Sequence, residues 1–484
     1  MLASCKPARR RRLLGVLALV LALALSAAGA AEAHGFMTGF ADGVYLNPKS
    51  GDLWLDRTVS AGASFVLLPV SWPAIEPSPP APGSDPSNPA NPALHWGTLD
   101  HAVREAVARG LTVAFTVAGA GGPAWADGSG RPASAPVGTW RPNARAFAAF
   151  AKAVAERFSG RFDPGDGVLP RVRYYEAWGE PNLPDHLNPQ WIRVHGRPVA
   201  ESPIIYRALL NAFYFAVKSV NAGDMVISAG TAPFGTPPSL VGGPGPLFDR
   251  VPPALFVRRL LCLSDALKPL RCPDPVHFDI LAHHPYAIGG PFWHAYDRDD
   301  ISIADFYKLT RPLAVAERTG RVLPRGRKQL WVTEFSWNSD PPNPHAVPMA
   351  RWTRWIEESF YELWREGVDA LAWYNVVDQP PVPNYGSTYQ SGMYFLNGRP
   401  KPGLRAFRFP FVVEPVGGGR RLLWGISPRG GVVAVQRRVR RGWQTGWRFH
   451  VRAHGIFERT VRVAPGTVLR ARVEALSSVP WRVG

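Results

Sequence analysis

Cysteine is scarce in this chain, with three copies in 484 residues. Cys5 lies in an N-terminal segment that we expect to be removed, which leaves Cys262 and Cys272. In an exported protein, two cysteines this close in sequence indicate a local disulfide rather than a metal site. Two separate buried thiols are the alternative. The disulfide would staple the connection between a helix and the next strand.

Long hydrophobic runs are absent beyond the N-terminus, so no later stretch could span a membrane. At the N-terminus, basic residues at 6 and 9–12 precede an uncharged run at 13–31 and the small-residue pattern Ala31-Glu32-Ala33. This order is typical of a signal peptide at residues 1–33, with the mature chain starting near His34. The protein is therefore predicted to be secreted. A retained membrane anchor is the alternative, because the run is just long enough to cross a bilayer.

Lysine is scarce and arginine plentiful, and the positive charge is unevenly distributed. The formal net charge is +18, but residues 414–484 alone hold fourteen arginines and three acids. The central region is close to neutral, so a general affinity for polyanions cannot be assigned to it. The tail has no nucleic-acid motif. Its arginines could bind an acidic cell-wall polymer, whereas compositional bias with solvated strand faces is the alternative.

Apolar strands alternate with amphipathic helices through the central region. Strands are predicted at 35–40, 64–70, 111–117, 171–178, 225–229, 278–283, 329–333 and 370–374. The clearest helices, with apolar residues at steps of three and four, are predicted at 143–158, 206–220, 253–267, 303–318 and 348–365. This alternation predicts a parallel sheet, and eight units predict a closed (β/α)8 barrel over residues 34–413.

The predicted barrel is longer than the roughly 250 residues typical of the fold. The surplus lies in Pro/Gly-rich segments that follow strands, at 73–96, 183–203, 231–253 and 339–348. We expect these segments to form cleft walls on the catalytic face. From residue 414 the composition changes to Trp- and Val-rich runs broken by Gly and Pro. Residues 414–484 are therefore predicted to form a small antiparallel β domain, similar to a β-sandwich.

Two glutamates follow predicted barrel strands. Residues 174–184 read YYEAWGEPNLP, in which an alternating strand leads into Glu180, and the proline after it cannot continue the strand. The run QLWVTEFSW at 329–337 leads in the same way into Glu334. A lone Glu-Pro after a strand is more often a solvated turn. The pair, placed after strands four and seven, favours a catalytic function.

The Glu-Pro-Asn motif at 180–182 and the glutamate at 334 resemble those of the clan A glycoside hydrolases, which include families 5 and 39. The resemblance covers most of the chain. It implies a retaining mechanism, with Glu180 as acid/base and Glu334 as nucleophile about 5 Å apart. No metal or organic cofactor is required by this chemistry.

The resemblance also implies substrate contacts. The sequence His284-Pro-Tyr286 is similar to the His-x-Tyr after strand six in these enzymes, and a tyrosine hydroxyl reaching Glu334 would hold it ionised. Trp373, at the end of strand eight, is expected to lie under the sugar in the first subsite. The full predicted substrate-binding set is His284, Tyr286, Trp373, Asn182 and Trp178.

The chain departs from the family pattern in two places. Gly179 stands where the family has an asparagine that hydrogen-bonds the 2-hydroxyl of the sugar, a contact worth several kcal/mol in the transition state. Leu67 or Leu68 stands where strand two of the relatives carries an arginine that steadies the nucleophile. Because of these departures, a barrel that binds sugar without hydrolysing it is an alternative.

The sequence therefore favours a secreted retaining hydrolase of β-linked glycosides or polysaccharides. A non-catalytic carbohydrate-binding barrel at the cell surface is the alternative from another class. A wall-associated structural protein held by its basic tail is a third, weaker hypothesis. The sequence does not identify the sugar, the linkage, or whether attack falls within chains or at their ends.

Overall fold

The computed structural model describes residues 35–242 and 249–484 of the chain. The predicted signal peptide, Cys5 and His34 fall outside these residues. Residues Phe36–Gly484 belong to one compact unit. In the described part of the chain, no helix combines the length and the apolar character needed to cross a membrane.

Eight parallel strands close into a barrel. They are β1 (Met37–Ala41), β2 (Phe65–Val70), β3 (Thr112–Val117), β4 (Tyr174–Ala177), β5 (Met225–Ser228), β6 (Ile280–His283), β7 (Gln329–Phe335) and β8 (Ala370–Trp373). Each strand pairs with its neighbours in chain order, and β8 pairs with β1 to close the sheet. The predicted (β/α)8 barrel is confirmed, and every predicted strand lies within a few residues of an observed one.

Helices cover the outside of the barrel. They are α1 (Gly51–Ser60), α2 (Trp72–Ile75), α3 (Leu99–Ala108), α4 (Ala144–Arg157), α5 (Ser202–Val220), α6 (Pro253–Leu260), α7 (Tyr307–Thr319), α8 (Met349–Arg365) and α9 (Gly403–Arg408). Single 3-10 turns lie at Gly43–Leu46, Ala124–Ala126, Pro238–Leu240 and Ile303–Asp305. Short strand pairs in the connections join Trp191–Val194 to Arg197–Ala200, Val276–His277 to Val322–Leu323, and Ser339–Asp340 to Val347–Pro348.

The helix predicted over 253–267 is shorter than expected, because α6 ends at Leu260. Cys262 and Leu267 both adopt positive φ angles, of 54° and 56°, and side chains other than glycine rarely take that conformation inside a helix. The predicted disulfide joins Cys262 to Cys272 in this connection. It therefore links the end of α6 to the segment that enters β6.

A layer of aromatic side chains fills the middle of the barrel. The Trp331 ring lies 5.6 Å from that of Phe65 and 4.9 Å from that of Tyr174, which closes the middle of the barrel. Because inward-facing side chains recur at every second residue of a strand, the next inward positions along β4 and β7 are Glu176 and Thr333. The polar site thus begins one layer of side chains beyond these aromatic rings, at the C-terminal ends of the strands.

The C-terminal region forms two antiparallel sheets, as predicted. Its strands are β9 (Phe411–Pro415), β10 (Arg420–Ile426), β11 (Gly431–Arg438), β12 (Trp443–Val451), β13 (Ile456–Arg462), β14 (Val468–Val473), β15 (Leu476–Ser477) and β16 (Trp481–Arg482). One sheet has the order β9-β10-β13, and the other has the order β12-β11-β14-β15 with β16 on β14.

These sheets pack against the barrel through α8. The Trp424 ring lies 5.5 Å from those of Tyr361 and Trp364, and the Arg354 guanidinium lies 3.9 Å from the centre of the Trp481 ring. Aromatic and cation–π contacts of this kind bury apolar surface of both partners. The domain boundary at residue 414 stays a prediction.

Candidate active site

A cavity of about 640 Å³ opens at the C-terminal end of the barrel. Its lining includes three glutamates, Glu176, Glu180 and Glu334, and two histidines, His186 and His284. Among the residues that the structure describes, no lysine or arginine lines it. Catalytic groups of (β/α)8 enzymes occupy this end of the barrel, so the cavity is the candidate active site.

A sharp backbone turn after β4 carries Glu180 into the cavity. Trp178 and Glu180 both have left-handed φ angles, of 77° and 43°. Each costs about 1–2 kcal/mol in a residue other than glycine, and the surroundings must supply the constraint that holds them. The amide of Gly179 donates to the Gly119 carbonyl, and that of Glu180 donates to the Gly230 carbonyl, both at 2.9 Å. Backbone strain held in this way is common at functional sites.

An irregularity in β7 brings Glu334 into the cavity. The register of β7 against β8 shifts between Val332 and Phe335. In a regular strand, consecutive side chains point to opposite faces, but here Thr333 and Glu334 both line the cavity. A local register shift re-aims a side chain in this way. It places the Glu334 carboxylate beside the inward-facing residues of the barrel.

His284 connects Glu180 to the barrel interior. Its Nδ1 lies 3.0 Å from Glu180 Oε1, and its Nε2 lies 3.0 Å from Thr333 Oγ1. The Thr333 hydroxyl donates its proton to Glu176 Oε1 at 2.7 Å, so it accepts from His284, and Nε2 carries a hydrogen. The proton shared by His284 and Glu180 therefore lies between Nδ1 and Oε1. Residue 230 must be glycine, because a Cβ there would sit 2.1 Å from His284 Nε2.

The charges in the cavity favour an ion pair between His284 and Glu180. Burial alone would lower the pKa of His284, but the Glu180 hydrogen bond and the negative charges of Glu334, Glu180 and Glu176 raise it to about 9. Burial alone would raise the pKa of Glu180, but the His284 hydrogen bond and charge lower it below its usual value. Without substrate, the proton of the pair thus lies on the imidazole.

Glu334 has a different environment. Tyr286 Oη donates to Glu334 Oε1 at 2.6 Å, which is the contact that the His-x-Tyr motif predicts. Burial and then the charge of Glu180 raise the pKa of Glu334, against the opposing effects of His284 and Tyr286. In the substrate-free site, Glu180 is therefore the more acidic of the two carboxyl groups. This order is the reverse of the one expected for a general acid and a nucleophile at rest.

Glu176 is a site residue that the sequence analysis did not identify. Its carboxylate accepts hydrogen bonds from Thr116 Oγ1 at 2.7 Å, from Thr333 Oγ1 at 2.7 Å and from the Gly230 amide at 3.0 Å. Burial raises its pKa. The two-residue period of β4 could have identified it, since Tyr174 and Glu176 share the inward face. Through Thr333, this carboxylate fixes the hydrogen on His284 Nε2.

Of the five residues predicted to contact substrate, His284 lines the cavity and Tyr286 reaches Glu334 beside it, whereas Trp373, Trp178 and Asn182 lie outside the lining. Trp373 and Trp178 are fully buried, and their indole NH groups donate to the Ser391 and His186 carbonyls. Asn182 is also fully buried. Its side-chain amide accepts from the Ala232 amide and donates to the Ala232 and Val251 carbonyls, so it holds loops together.

Two tyrosines line the cavity instead of these tryptophans. Tyr374 follows Trp373 at the end of β8, and Tyr389 comes from the loop after that strand. Their rings lie 4.9 Å apart at right angles, and the Tyr389 ring lies 6.3 Å from that of Tyr286. The cavity thus has aromatic surface on the Glu334 side. Gly179 and Leu67, the two departures from the family pattern, also line it.

His283, which directly precedes His284 in the chain, is a structural residue. It is fully buried, and its ring nitrogens contact Thr231 Oγ1 at 2.8 Å and the Ile301 carbonyl at 3.0 Å. Burial lowers its pKa to about 3, so it is neutral. Within residues 35–242 and 249–484, no group of three or more His, Cys, Asp or Glu side chains is arranged to hold a metal ion.

Comparisons with known proteins identify the fold. No protein-family model and no curated protein matches the chain. Among solved structures, it is similar to a family 39 glycoside hydrolase from the gut symbiont Bacteroides cellulosilyticus WH2. The identity is 17%, the TM-score is 0.52, and the match covers 88% of this chain and 80% of that one. A GH5_18 structure from Streptomyces cattleya in complex with GlcNAc matches at 16% identity and a TM-score of 0.48, over 78% of this chain and 79% of that one. The first of these supports a shared barrel fold.

Proposed function

We propose that the protein is a retaining glycoside hydrolase that cleaves β-linked glycosides or polysaccharides. The observation that carries the proposal is the pairing of Glu180 and Glu334 in one cavity, each held by its own partner, His284 and Tyr286. A double displacement needs two carboxyl groups with different proton occupancies. The similarity to a family 39 glycoside hydrolase agrees with this chemistry at the level of the fold.

In the first step, Glu334 attacks the anomeric carbon while the bond to the leaving oxygen breaks. The shared proton moves from His284 Nδ1 to Glu180 and from Glu180 to the leaving oxygen, which leaves Glu180 ionised and His284 neutral. The His284–Glu180 pair, rather than Glu180 alone, is thus the general acid. Glu334 must be ionised to attack, and the Tyr286 hydrogen bond favours that form.

In the second step, water releases the sugar from Glu334. Glu180, ionised again once the leaving group has departed, takes a proton from the water as its oxygen attacks the anomeric carbon. The returned proton then passes from Glu180 to Nδ1 of the neutral imidazole of His284, which restores the resting ion pair. The low pKa of Glu180 in the substrate-free site suits a carboxylate that starts this half-reaction as a base.

The direct test is hydrolysis of a panel of aryl β-glycosides, β-glucans, mannans and xylans. Proton NMR of the first-formed product would give its anomeric configuration. A β-product from a β-glycoside supports the double displacement, and an α-product contradicts it. Turnover of at least one substrate is required by the proposal.

A non-catalytic carbohydrate-binding barrel remains the second candidate. It is favoured by the reversed pKa order of Glu180 and Glu334 and by Gly179 and Leu67 in the lining, where the family pattern has polar side chains. Binding of oligosaccharides without turnover of any member of the panel would select this candidate.

The His284–Glu180 pair predicts the pH dependence of turnover. The proton is held by the pair below its apparent pKa and is lost as the pH rises through about 9, so kcat/KM should fall on the alkaline side there. In His284→Gln the proton would be held by Glu180 alone. The alkaline limb should then move to lower pH by about one unit or more. The measurement is a pH profile of kcat/KM on an activated aryl glycoside, and an unchanged alkaline limb would contradict the shared-proton mechanism.

We also propose secretion and an acidic partner for the tail. Secretion is supported by the N-terminal sequence and by the Cys262–Cys272 disulfide. Another cavity, of about 730 Å³, lies on the C-terminal sheets and has Arg437, Arg438, Arg440 and Arg462 in its lining, with no acidic side chain among the described residues there. Such a surface suits an acidic cell-wall polymer.

Removal of two of these arginines tests the polymer contact. Arg438→Gln with Arg440→Gln should weaken binding to polygalacturonate several-fold, and salt should weaken binding by the unmodified protein because exposed charges are screened. Arg311→Gln with Arg318→Gln on α7 makes the same charge change elsewhere and is the control. Equal binding by both double variants would contradict a specific contact between the tail and the polymer. The abundance of arginine in the tail would then reflect compositional bias.

A further inference from the structure

The Cys262–Cys272 disulfide has a charged neighbour, the guanidinium of Arg207 on α5. Arg207 is 8% exposed, and its Nη1 lies 2.7 Å from Cys262 Sγ and 3.4 Å from Cys272 Sγ. The same nitrogen donates to the carbonyls of Arg259 and Leu260, at 3.2 and 3.3 Å. The arginine side chain thus extends to the end of α6 and reaches both sulfurs.

Arg207 is a buried cation without a matching anion. Within residues 35–242 and 249–484, no carboxylate forms an ion pair with it, and a sulfur atom is only a weak hydrogen-bond acceptor. Burial lowers the pKa of its guanidinium, against the charge of Asp274, which raises it. A buried charge without a partner is costly, so a negative charge on Cys262 Sγ would stabilise this region. The position of Arg207 therefore favours a thiolate at Cys262.

The two cysteines differ in accessibility. Cys262 is 1% exposed, whereas Cys272 is half-buried in a segment where the adjacent Arg271 and Pro273 are exposed. Thiol–disulfide exchange begins when a thiolate attacks the sulfur that it can reach, and it is faster when the departing sulfur is the more stable thiolate. Accessibility and charge agree here, because attack on Cys272 would expel the sulfur that lies nearer to Arg207.

Backbone hydrogen bonds hold the loop between the two cysteines independently of the disulfide. The Leu270 amide donates to the Cys262 carbonyl at 2.7 Å, and the Ser264 amide donates to the Lys268 carbonyl at 2.9 Å. With the disulfide open, these bonds would keep Cys262 beside Arg207. The two cysteines are only ten residues apart in the chain, so closure of the loop is easy and the disulfide can re-form.

We propose that Cys272 is a site of reversible modification by small thiols, and that Arg207 stabilises the thiolate that departs. The incoming thiol first loses its proton to water. Its sulfur then bonds to Cys272 Sγ as the bond between the two cysteine sulfurs breaks, and the electron pair of that bond goes to Cys262 Sγ. The products are a mixed disulfide at Cys272 and a Cys262 thiolate beside the guanidinium.

This modification is independent of the proposed hydrolysis. The disulfide precedes β6, whereas His284 follows the opposite end of that strand. Attack of the Cys262 thiolate on the mixed disulfide would expel the small thiol and restore the original bond.

Mass mapping of the purified protein tests the direction of attack. The protein is incubated with excess reduced glutathione, quenched with acid at early times, unfolded and alkylated with N-ethylmaleimide. The glutathione adduct should lie on Cys272 and the alkyl group on Cys262, and the opposite arrangement should be about tenfold rarer or less abundant still. Comparable amounts of the two arrangements, an excess of the opposite one, or no adduct would overturn the proposal.

Variants of Arg207 test the stabilisation of the departing thiolate. Arg207→Met removes the charge and keeps the apolar stem, so the adduct should form about tenfold more slowly. Arg207→Lys retains the charge and should recover most of the rate. Arg318→Met makes the same change at an exposed position on α7 and should exchange like the unmodified protein. A rate in Arg207→Met equal to or above that of Arg318→Met would exclude this function of Arg207.

A titration of Cys262 tests the same point without any change to Arg207, in case Arg207→Met does not fold. Cys5→Ser with Cys272→Ser leaves Cys262 as the sole cysteine of the chain. The ultraviolet absorbance of its thiolate, followed against pH, should give a pKa below the ordinary cysteine value of about 8.5. A pKa at or above that value is expected of a buried thiol without a cationic partner, and it would overturn the proposal.

Discussion

Glu334→Gln is expected to remove nearly all turnover, by at least about 10⁴-fold in kcat, on every substrate that the protein hydrolyses. The amide cannot form the glycosyl ester, so no covalent intermediate is available. The loss should not depend on the leaving group, because the reaction stops before the leaving oxygen departs. Steady-state kinetics on an aryl glycoside and on an oligosaccharide would measure the effect.

Stability provides the folding control for this variant. The pKa of Glu334 is raised in the folded protein, so its ionisation opposes folding as the pH rises above the ordinary value of 4.5. Glu334→Gln should therefore have a Tm equal to or above that of the unmodified protein at pH 7, and the difference should vanish below about pH 4. Glu458→Gln makes the same chemical change at an exposed position on β13 and should alter neither Tm nor kcat. Retained turnover in Glu334→Gln would exclude Glu334 as the nucleophile.

The barrel was predictable because its signals are local. Strand and helix periodicity recur in order along the chain, and the turn residues after β4 and β7 mark the two places where glutamates leave the sheet. Both glutamates line the cavity. Local patterns thus suffice to place Glu180 and Glu334 at the same end of the barrel.

Trp373 and Trp178 lie outside the cavity lining because of the directions of their side chains. In β8, Ala370 and Ala372 face the barrel interior, so the two-residue period turns Trp373 outward and brings Tyr374 inward. The same period would turn Trp178 inward after Glu176, but its φ angle of 77° breaks the alternation, and its ring contacts Phe147 of α4. The outward direction of Trp373 could be read from the sequence, whereas that of Trp178 depends on a backbone angle that residue types do not encode.

The electrostatics of the site also depend on tertiary contacts. Thr333, His284 and Glu176 are far apart in sequence, and their hydrogen bonds exist only because β4, β6 and β7 converge. The His-x-Tyr motif predicted the Tyr286–Glu334 contact. It did not predict that His284 would bond Glu180 and lower its pKa. The resting protonation state could therefore not be read from the motifs.

Glu180→Ala should behave differently from Glu334→Gln, and the difference assigns the two roles. With a 2,4-dinitrophenyl β-glycoside the leaving group needs little protonation, so Glu334 should still form the glycosyl-enzyme. Release should slow for want of a base, and a burst of dinitrophenol should precede a steady state about 10²–10⁴-fold slower than normal. A substrate with a poor leaving group should show no burst, because its first step needs the acid.

Azide should restore turnover of the activated substrate by Glu180→Ala. Azide needs no base to attack the anomeric carbon, and the cavity left by the carboxylate lies on the leaving-group side, where the incoming nucleophile must enter. The product should be the β-glycosyl azide, formed by two inversions. Glu334→Gln should gain nothing from azide, since it forms no intermediate to intercept. An α-glycosyl azide, or rescue of Glu334→Gln but not of Glu180→Ala, would reverse the assignment of acid/base and nucleophile.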